Sequence, residues 1–240
     1  MSPSEKPPVL ILCGGRGTRL RTSSASLPKP LVEIGGYPVV WHVVRLYASQ
    51  GFSSFHLLTG HRGEEVSAFA HAADWPEGIT VSCLETGEDT PTGGRVHQAV
   101  KALGPVPICV TYADGVADVD LDQTLEALEK DGVEAVVTVV RPELPFGVAH
   151  LENEMIVGFE EKPKSSEWVN GGFMAFTPAG AALIGPDDIL ERAPLEALAT
   201  RGLLAAHRHD GFWFCMDTYK DQVALNDLWE DGTAPWRTWT

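Results

Sequence analysis

The sequence predicts an α/β protein with a Rossmann-like, doubly wound mixed sheet and a β-hairpin inserted in its C-terminal half. Short apolar runs alternate with helical segments over roughly the first 140 residues, as in a mostly parallel sheet. After Arg141 the alternation stops, and two strand-like runs flank Glu152-Asn153-Glu154, which favours a hairpin. With no internal repeat or linker composition between these parts, we expect one domain over residues 1–240.

The elements of the first half are predicted from apolar patterning and from breaker residues. Val9–Cys13 is continuously apolar, which is typical of a strand covered on both faces. Pro38 and Gly51 bracket a helix over Val39–Gln50. The other strands are predicted at Phe55–Thr59, Ile79–Leu84, Val106–Tyr112 and Ala135–Val140, and the helices between them at Glu64–Ala72, Gly94–Leu103 and Asp122–Lys130.

The second half is predicted to be mixed. Its elements are a hairpin of Phe146–Leu151 with Met155–Phe159, a strand over Gly171–Phe176, helices from Pro178 and over Asp187–Thr200, a strand over Leu203–His207 and a helix over Lys220–Trp229.

Charge and cysteine usage narrow the possible partners and location. Eighteen Lys and Arg residues against 33 Asp and Glu give a formal net charge of −15, so we expect neither nucleic acid nor an anionic membrane as a partner. The N-terminus lacks an apolar signal region, and the four cysteines are widely spaced with no metal-ligand pattern. These features predict a cytoplasmic protein with reduced thiols.

The most informative segment is the loop that follows the first strand. It combines glycines that allow close backbone approach with the arginines Arg16, Arg19 and Arg21. Lys29 follows, held between Pro28 and Pro30. Crowded positive charges indicate an anion among them, so the loop is typical of a polyphosphate cradle. The alternative, a glycine-rich turn without a ligand, is weakened by the arginines.

Motifs along the chain carry a family resemblance. They are Gly14-Gly15-Arg16-Gly17-Thr18-Arg19-Leu20, Leu27-Pro28-Lys29-Pro30-Leu31, Tyr112-Ala113-Asp114-Gly115, Phe159-Glu160-Glu161-Lys162-Pro163, Asn170-Gly171-Gly172-Phe173 and Met216-Asp217-Thr218. Together they resemble the sugar-phosphate nucleotidylyltransferases. The run from Glu85 to Arg95 and Gly211-Phe212-Trp213 are most similar to glucose-1-phosphate cytidylyltransferases. Two departures are a shorter stretch between Gly63 and Glu85, and Phe214-Cys215 in place of a Gln-Pro.

The resemblance implies an activity, a cofactor and a set of site residues. The expected reaction joins CTP to a sugar 1-phosphate, most simply glucose 1-phosphate, releasing pyrophosphate with the help of Mg²⁺, and a homo-oligomer is expected. Residues of about 9–140 would bind the nucleotide, and those of about 141–240 the sugar and metal. The implied residues are Arg19, Lys29 and Lys162 for catalysis; Leu12, Gly14, Gly15, Gly17, Thr18, Glu85, Thr92, Gly93 and Asp114 for the nucleotide; Gly115, Glu161, Lys162, Asn170 and Gly171 for the sugar phosphate; and Asp114 and Asp217 for the metal.

Physical arguments support two of these assignments. Asp114 directly follows a predicted strand and so lies at the carboxyl edge of the sheet, where such folds bind ligands, and carboxylate pairs hold hard cations. The carboxylate of Glu85 only accepts hydrogen bonds. It therefore suits the exocyclic amine of cytosine, or that of adenine, and opposes the O4 carbonyl of uracil or thymine.

Alternative functions stay open at this point. One is a nucleotidylyltransferase with another nucleoside triphosphate or another phosphate or phosphonate acceptor. Another is a non-catalytic nucleotide-sugar sensor. A nicotinamide-dependent dehydrogenase is disfavoured because the third glycine of its fingerprint is missing.

Overall fold

The computed structural model describes residues 5–15 and 27–239, and within them the chain forms thirteen strands and seven α-helices. The strands are β1 (Val9–Leu12), β2 (Glu33–Ile34), β3 (Tyr37–Pro38), β4 (Ser54–Thr59), β5 (Thr80–Glu85), β6 (Ile108–Tyr112), β7 (Gly115–Ala117), β8 (Ala135–Val140), β9 (Val148–Glu152), β10 (Met155–Glu160), β11 (Val169–Phe176), β12 (Leu204–His209) and β13 (Trp213–Cys215). The helices are α1 (Val39–Ala48), α2 (Gly63–Ala72), α3 (Thr92–Leu103), α4 (Leu121–Leu128), α5 (Pro178–Ala181), α6 (Ala193–Thr200) and α7 (Tyr219–Glu230).

The central sheet has seven strands in the order β12-β8-β11-β6-β1-β4-β5. Strand β11 runs antiparallel to its neighbours β6 and β8, and the other pairings are parallel. The predicted fold class, a mixed doubly wound α/β sheet, is therefore confirmed.

Helices cover both faces of this sheet, and β1 shows how the sequence achieves it. Val9 and Ile11 join the apolar cluster that contains α1 and α4, whereas Leu10 and Leu12 join the cluster that contains α3 and α6. Alternate side chains of a strand point to opposite faces, so a continuously apolar run suits a strand buried on both. No helix in the described ranges is both long and apolar enough to cross a bilayer.

The predicted hairpin is confirmed as β9 and β10, a two-stranded ladder separate from the central sheet. Several of its large apolar side chains are more than half exposed, among them Leu151, Met155, Ile156 and Phe159.

The prediction of one helix over Asp187–Thr200 was wrong in its first half. Asp188 uses its carboxylate to accept a 2.7 Å hydrogen bond from the backbone N–H of Gly185, which forms a turn. The helix begins only at Ala193, with Pro194 in its first turn, where a missing N–H costs nothing.

Candidate active site

Two short strands bring the predicted metal-binding aspartates together. Asp114 follows β6, and β7 begins at the next residue. Strand β13 pairs antiparallel with β7, so that Cys215 lies opposite Gly115. The backbone N–H of Met216 then donates a 2.9 Å hydrogen bond to the carbonyl oxygen of Asp114. This register places Asp217 beside Asp114 although the two are far apart in sequence.

The start of α7 fixes the backbone of Asp217. Thr218 is the N-cap, and its hydroxyl and the Asp221 carboxylate form a reciprocal capping box. Oδ2 of Asp221 also accepts a 3.0 Å hydrogen bond from the backbone N–H of Asp217. Asp217 is therefore held immediately before the N-cap of α7.

Lys29 lies between the two aspartates. Its Nζ is 2.5 Å from Oδ2 of Asp114 and 2.6 Å from Oδ1 of Asp217, and the side chain is 15% exposed. Burial by itself lowers the pKa of Lys29, but the charge of Asp114 and the hydrogen bonds to Asp114 and Asp217 outweigh it, and the pKa is raised overall. Lys29 therefore keeps its positive charge, and the two carboxylates hold this one cation in common.

Lys29 and Asp114, but not Asp217, line a cleft of about 480 Å³. Six predicted residues that the structure describes line it: Leu12, Gly14, Gly15, Lys29, Thr92 and Asp114. Glu88, Asp89, Arg95 and Tyr112 also line it, and none of these was predicted. The predicted residues Gly17, Thr18 and Arg19 lie outside the described residues, as do Arg16 and Arg21.

Arg95 organises the wall of the cleft and was missed as a site residue. It is 4% exposed, and its guanidinium donates to the carbonyl oxygens of Gly14, Thr59 and Glu88 at 2.9–3.1 Å and to the hydroxyl of Thr86 at 2.6 Å. Burial lowers the pKa of this guanidinium, while the nearby Glu85 carboxylate raises it.

A second network joins the cleft to α3. One oxygen of Glu191 accepts from the Thr92 hydroxyl at 2.8 Å, and the other accepts from the phenol of Tyr112. Burial, and then the negative charge of Glu191, hold the pKa of Tyr112 above its ordinary value, so the phenol keeps its proton.

Glu85, predicted to read the base, ends β5 but does not line the cleft. Its carboxylate accepts hydrogen bonds from the hydroxyl of Thr59 at 3.1 Å and from the backbone N–H of Gly87 at 3.0 Å. Gly93 also lies off the lining and packs against the backbone of Asp188.

The predicted sugar-phosphate residues lie in two places. Asn170 and Gly171 are on β11, where the carbonyl oxygen of Gly171 accepts a 2.7 Å hydrogen bond from the indole of Trp213. Glu161 and Lys162 follow β10, with Lys162 Nζ 4.0 Å from its neighbour's carboxylate. Lys162 is 49% exposed and has a φ of 48°, a left-handed conformation that is uncommon for a residue with a side chain. Like Gly115, these four residues do not line the cleft.

Cys215 joins the aspartates in a compact donor cluster. Its Sγ and one oxygen each of Asp114 and Asp217 all lie within 4.8 Å of one another. Burial, and then the charge of Asp114, raise the pKa of the Cys215 thiol to about 12.

Fold and site together define a mixed α/β protein with a cleft at the carboxyl edge of its sheet, where two carboxylates contact one lysine ammonium. The family described as "Nucleotidyl transferase" matches residues 8–230, and the chain belongs to this family.

Two curated relatives within this family are named as cytidylyltransferases. The chain is 35% identical to the probable glucose-1-phosphate cytidylyltransferase of Bacillus subtilis, over 96% of this chain and 99% of that protein. It is 36% identical to the glucose-1-phosphate cytidylyltransferase of Salmonella typhi, over 96% and 98%. In fold it is similar to the crystal structure of HddC from Yersinia pseudotuberculosis, with a TM-score of 0.74 and 19% identity over 93% of this chain and 100% of that one.

Proposed function

We propose that this protein is a Mg²⁺-dependent cytidylyltransferase that converts CTP and a sugar 1-phosphate, most simply α-D-glucose 1-phosphate, to a CDP-sugar and pyrophosphate. The observation that carries the proposal is the cation site formed by Asp114 and Asp217 with Lys29 between them, because Lys29 and Asp114 also line the cleft that Gly14 and Gly15 line. The names of the two cytidylyltransferase relatives support the choice of base and sugar.

The carboxylate pair fits a divalent metal. Both carboxylates already contact one cation, the Lys29 ammonium, and carboxylate oxygens are the ligands that Mg²⁺ prefers. Bound there, Mg²⁺ would neutralise phosphate charge during displacement at the α-phosphorus.

The side chains of this protein would supply positive charge to the phosphates and hold the reacting groups in position. An oxygen of the sugar phosphate attacks the α-phosphorus, a P–O bond forms, and the bond to the leaving pyrophosphate breaks. Catalysis of this kind depends largely on positioning and on stabilisation of charge on the phosphoryl oxygens. Lys29 would hold an α-phosphate oxygen, and Arg95 would keep the Gly14 backbone in place at the nucleotide. Residues 12–114 supply nearly all of the cleft lining, which supports a nucleotide-binding first part.

Base selection by Glu85 remains part of the proposal. The two hydrogen bonds that Glu85 accepts fix its carboxylate at the end of β5, beside the segment 88–92 that lines the cleft. A Glu85→Gln variant should accept UTP more readily relative to CTP, because an amide can donate to O4. An unchanged ratio of CTP to UTP turnover would refute this role and leave nucleotidyl transfer standing.

We also propose that Glu161 and Lys162 hold the sugar phosphate and that a second copy of the chain covers the hairpin. The strained backbone of Lys162 supports the first point, because such conformations occur often at functional sites. The exposed apolar side chains of β9 and β10 support the second. Ile156→Lys should lower the molar mass measured by light scattering, whereas Leu183→Lys, at an exposed apolar position outside the hairpin, should not.

Four cysteines, Cys13, Cys83, Cys109 and Cys215, carry free thiols, which is consistent with the cytoplasmic location that we propose.

The decisive experiment is a pyrophosphate-release screen of CTP, UTP, GTP and ATP against a panel of sugar 1-phosphates with Mg²⁺. We expect CTP with glucose 1-phosphate to give the highest rate. Another best pair would reassign the substrates, and no release with any pair would favour the non-catalytic sensor.

Matched variants test the site itself. Lys29→Met and Asp217→Asn should each lower kcat/KM by at least about 10²-fold, the usual cost of a lost transition-state contact. Lys101→Met and Asp227→Asn, at exposed positions of α3 and α7, are their controls. If all four variants behave alike, the assignment of the site is wrong.

A further inference from the structure

The donor cluster beside Lys29 differs from a site built for Mg²⁺ alone, because one of its three groups is a sulfur. Sγ of Cys215 and the oxygens of Asp114 and Asp217 lie within 4.8 Å of one another. Hard cations such as Mg²⁺ are held through oxygen, whereas a thiolate selects softer ions such as Zn²⁺.

The ladder between β7 and β13 leaves room for an ion at this sulfur. Cys215 lies opposite Gly115, so a side chain at residue 115 would stand beside the thiol. A Cβ built on Gly115 meets no atom within 4 Å. The side of Cys215 that faces Gly115 is therefore open.

The same cluster is already arranged around a positive charge. The Lys29 ammonium contacts both carboxylates, so their oxygens converge on one cation position rather than diverging into solvent. Zinc is bound by sulfur at about 2.3 Å and by carboxylate oxygen at about 2.0–2.2 Å, usually with four ligands. Three protein donors and one water or phosphate oxygen would complete such a site once Lys29 has moved aside.

We propose that Asp114, Cys215 and Asp217 form a mixed carboxylate–thiolate site that binds a thiophilic divalent cation, Zn²⁺ or Cd²⁺, in competition with Mg²⁺. This inference rests on the proposed function for its Mg²⁺ site and adds the thiolate as a third ligand. On binding, one metal–sulfur bond forms and the thiol proton passes to solvent. The bound ion occupies the carboxylates that Mg²⁺ uses, so Zn²⁺ inhibits nucleotidyl transfer.

The first test measures binding without catalysis. One equivalent of Cd²⁺ added to the wild-type protein should produce the ultraviolet charge-transfer band of a cadmium–thiolate bond. Cys215→Ser should lose the band, and its affinity for Zn²⁺ should fall by at least about tenfold, since even the outer-shell partners of a metal site are worth about 10–100-fold. Cys83→Ser, at a half-buried thiol on β5 outside the cluster, should keep both properties.

A second test needs no variant of the site. Zn²⁺ should slow the alkylation of Cys215 by iodoacetamide in the wild-type protein, measured on its peptide by mass spectrometry, and should leave the alkylation of Cys83 unchanged. A missing Cd²⁺ band, a band that survives Cys215→Ser, or alkylation of Cys215 at the same rate with and without Zn²⁺ would overturn the inference.

These outcomes separate the inference from the proposed function. If Mg²⁺ supports pyrophosphate release but Zn²⁺ and Cd²⁺ leave Cys215 untouched, only the inference fails. If Cd²⁺ binds through Cys215 but no nucleoside triphosphate releases pyrophosphate, only the proposed function fails.

Discussion

The guanidinium of Arg95 donates a hydrogen bond of 3.1 Å to the carbonyl oxygen of Gly14, across 81 positions of the chain. A Cβ built on Gly14 would lie 2.2 Å from the Arg95 guanidinium carbon, so the glycine is needed for this approach. The same guanidinium donates to the carbonyl oxygens of Thr59, the last residue of β4, and of Glu88, in the loop after β5. One buried side chain therefore fixes the relative positions of the loops after β1 and β5 and the end of β4.

We predict that Arg95→Lys destabilises the protein by about 2 kcal/mol and raises KM for the nucleotide more than it lowers kcat. A lysine keeps the charge but lacks the planar fork that reaches several acceptors at once, so buried carbonyl oxygens lose their partners. Urea denaturation gives the stability, and initial rates at varied CTP and varied sugar phosphate separate the two KM values.

Arg62→Lys is the control for this change, because Arg62 pairs with Glu65 at the half-exposed start of α2. It should change stability by less than about 0.5 kcal/mol. Equal effects of Arg95→Lys on both KM values would contradict a role confined to the nucleotide side.

His42 should make stability depend on pH below neutrality. Burial lowers its pKa to about 4, against 6.5 for a free histidine. Its Nδ1 accepts from the indole of Trp236, so Nε2 carries the proton that is donated to the carbonyl oxygen of Ile34 at 2.9 Å. The unfolded chain therefore binds more protons between pH 6.5 and 4. The stability that neutral His42 contributes is complete above pH 6.5 and is lost as the pH falls toward 4.

The measurement is the free energy of unfolding at pH 7.5 and pH 5. His42→Gln keeps one donor and one acceptor but does not titrate, so its stability should fall less between these pH values than that of the wild type. His71→Gln, at an exposed position of α2, should leave the wild-type difference intact. An unchanged pH dependence in His42→Gln would show that His42 is not the group responsible.

The sheet and most helices were predictable because their apolar residues follow regular periods. The five-residue run at Val9–Cys13 and the helix over Val39–Gln50 differ from the observed elements by one or two residues at their ends. Each is long enough to show its burial pattern in the sequence. Strands β7 and β13 have three residues each, too few for a period, yet their pairing is what brings Asp217 to Asp114.

Site residues that belong to a sequence motif could be predicted. Site residues that meet only because the fold brings distant segments together could not. Lys29, Asp114 and Asp217 came from motifs, and the structure brings all three together. Arg95 could have been found from its spacing, because it lies one helical turn before the buried Ala99 and so faces the core. Glu191 gave no such signal, since its partners Tyr112 and Thr92 precede it by 79 and 99 positions.

Gly172→Ala should distort the wall of the cleft. Gly172 has a φ of 86°, and a Cβ there would lie 2.7 Å from the ring of Tyr112. The substitution adds a steric clash to the cost of a left-handed backbone, so we expect a loss of about 3 kcal/mol in the free energy of unfolding, measured by thermal or urea denaturation.

Gly132→Ala is the matched control, because Gly132 has a φ of 78° but no atom within 4 Å of its Cβ position. It should lose only the backbone cost of about 1–2 kcal/mol. Equal losses in the two variants would show that the contact with Tyr112 has no cost.

Thr92 and Tyr112 should be energetically coupled because both donate to the carboxylate of Glu191. When Tyr112→Phe removes one donor, the remaining bond from Thr92 becomes more important to a partly buried negative charge. The loss caused by Thr92→Val should therefore be larger in the Tyr112→Phe background than in the wild type. We expect a coupling energy of about 1 kcal/mol in a double-mutant cycle of unfolding free energies.

Thr200→Val is the control, because it removes an exposed hydroxyl that bonds within its own helix. Its effect should add to that of Tyr112→Phe to within about 0.5 kcal/mol. Additivity of Thr92→Val with Tyr112→Phe would mean that Glu191 does not connect α3 to the cleft.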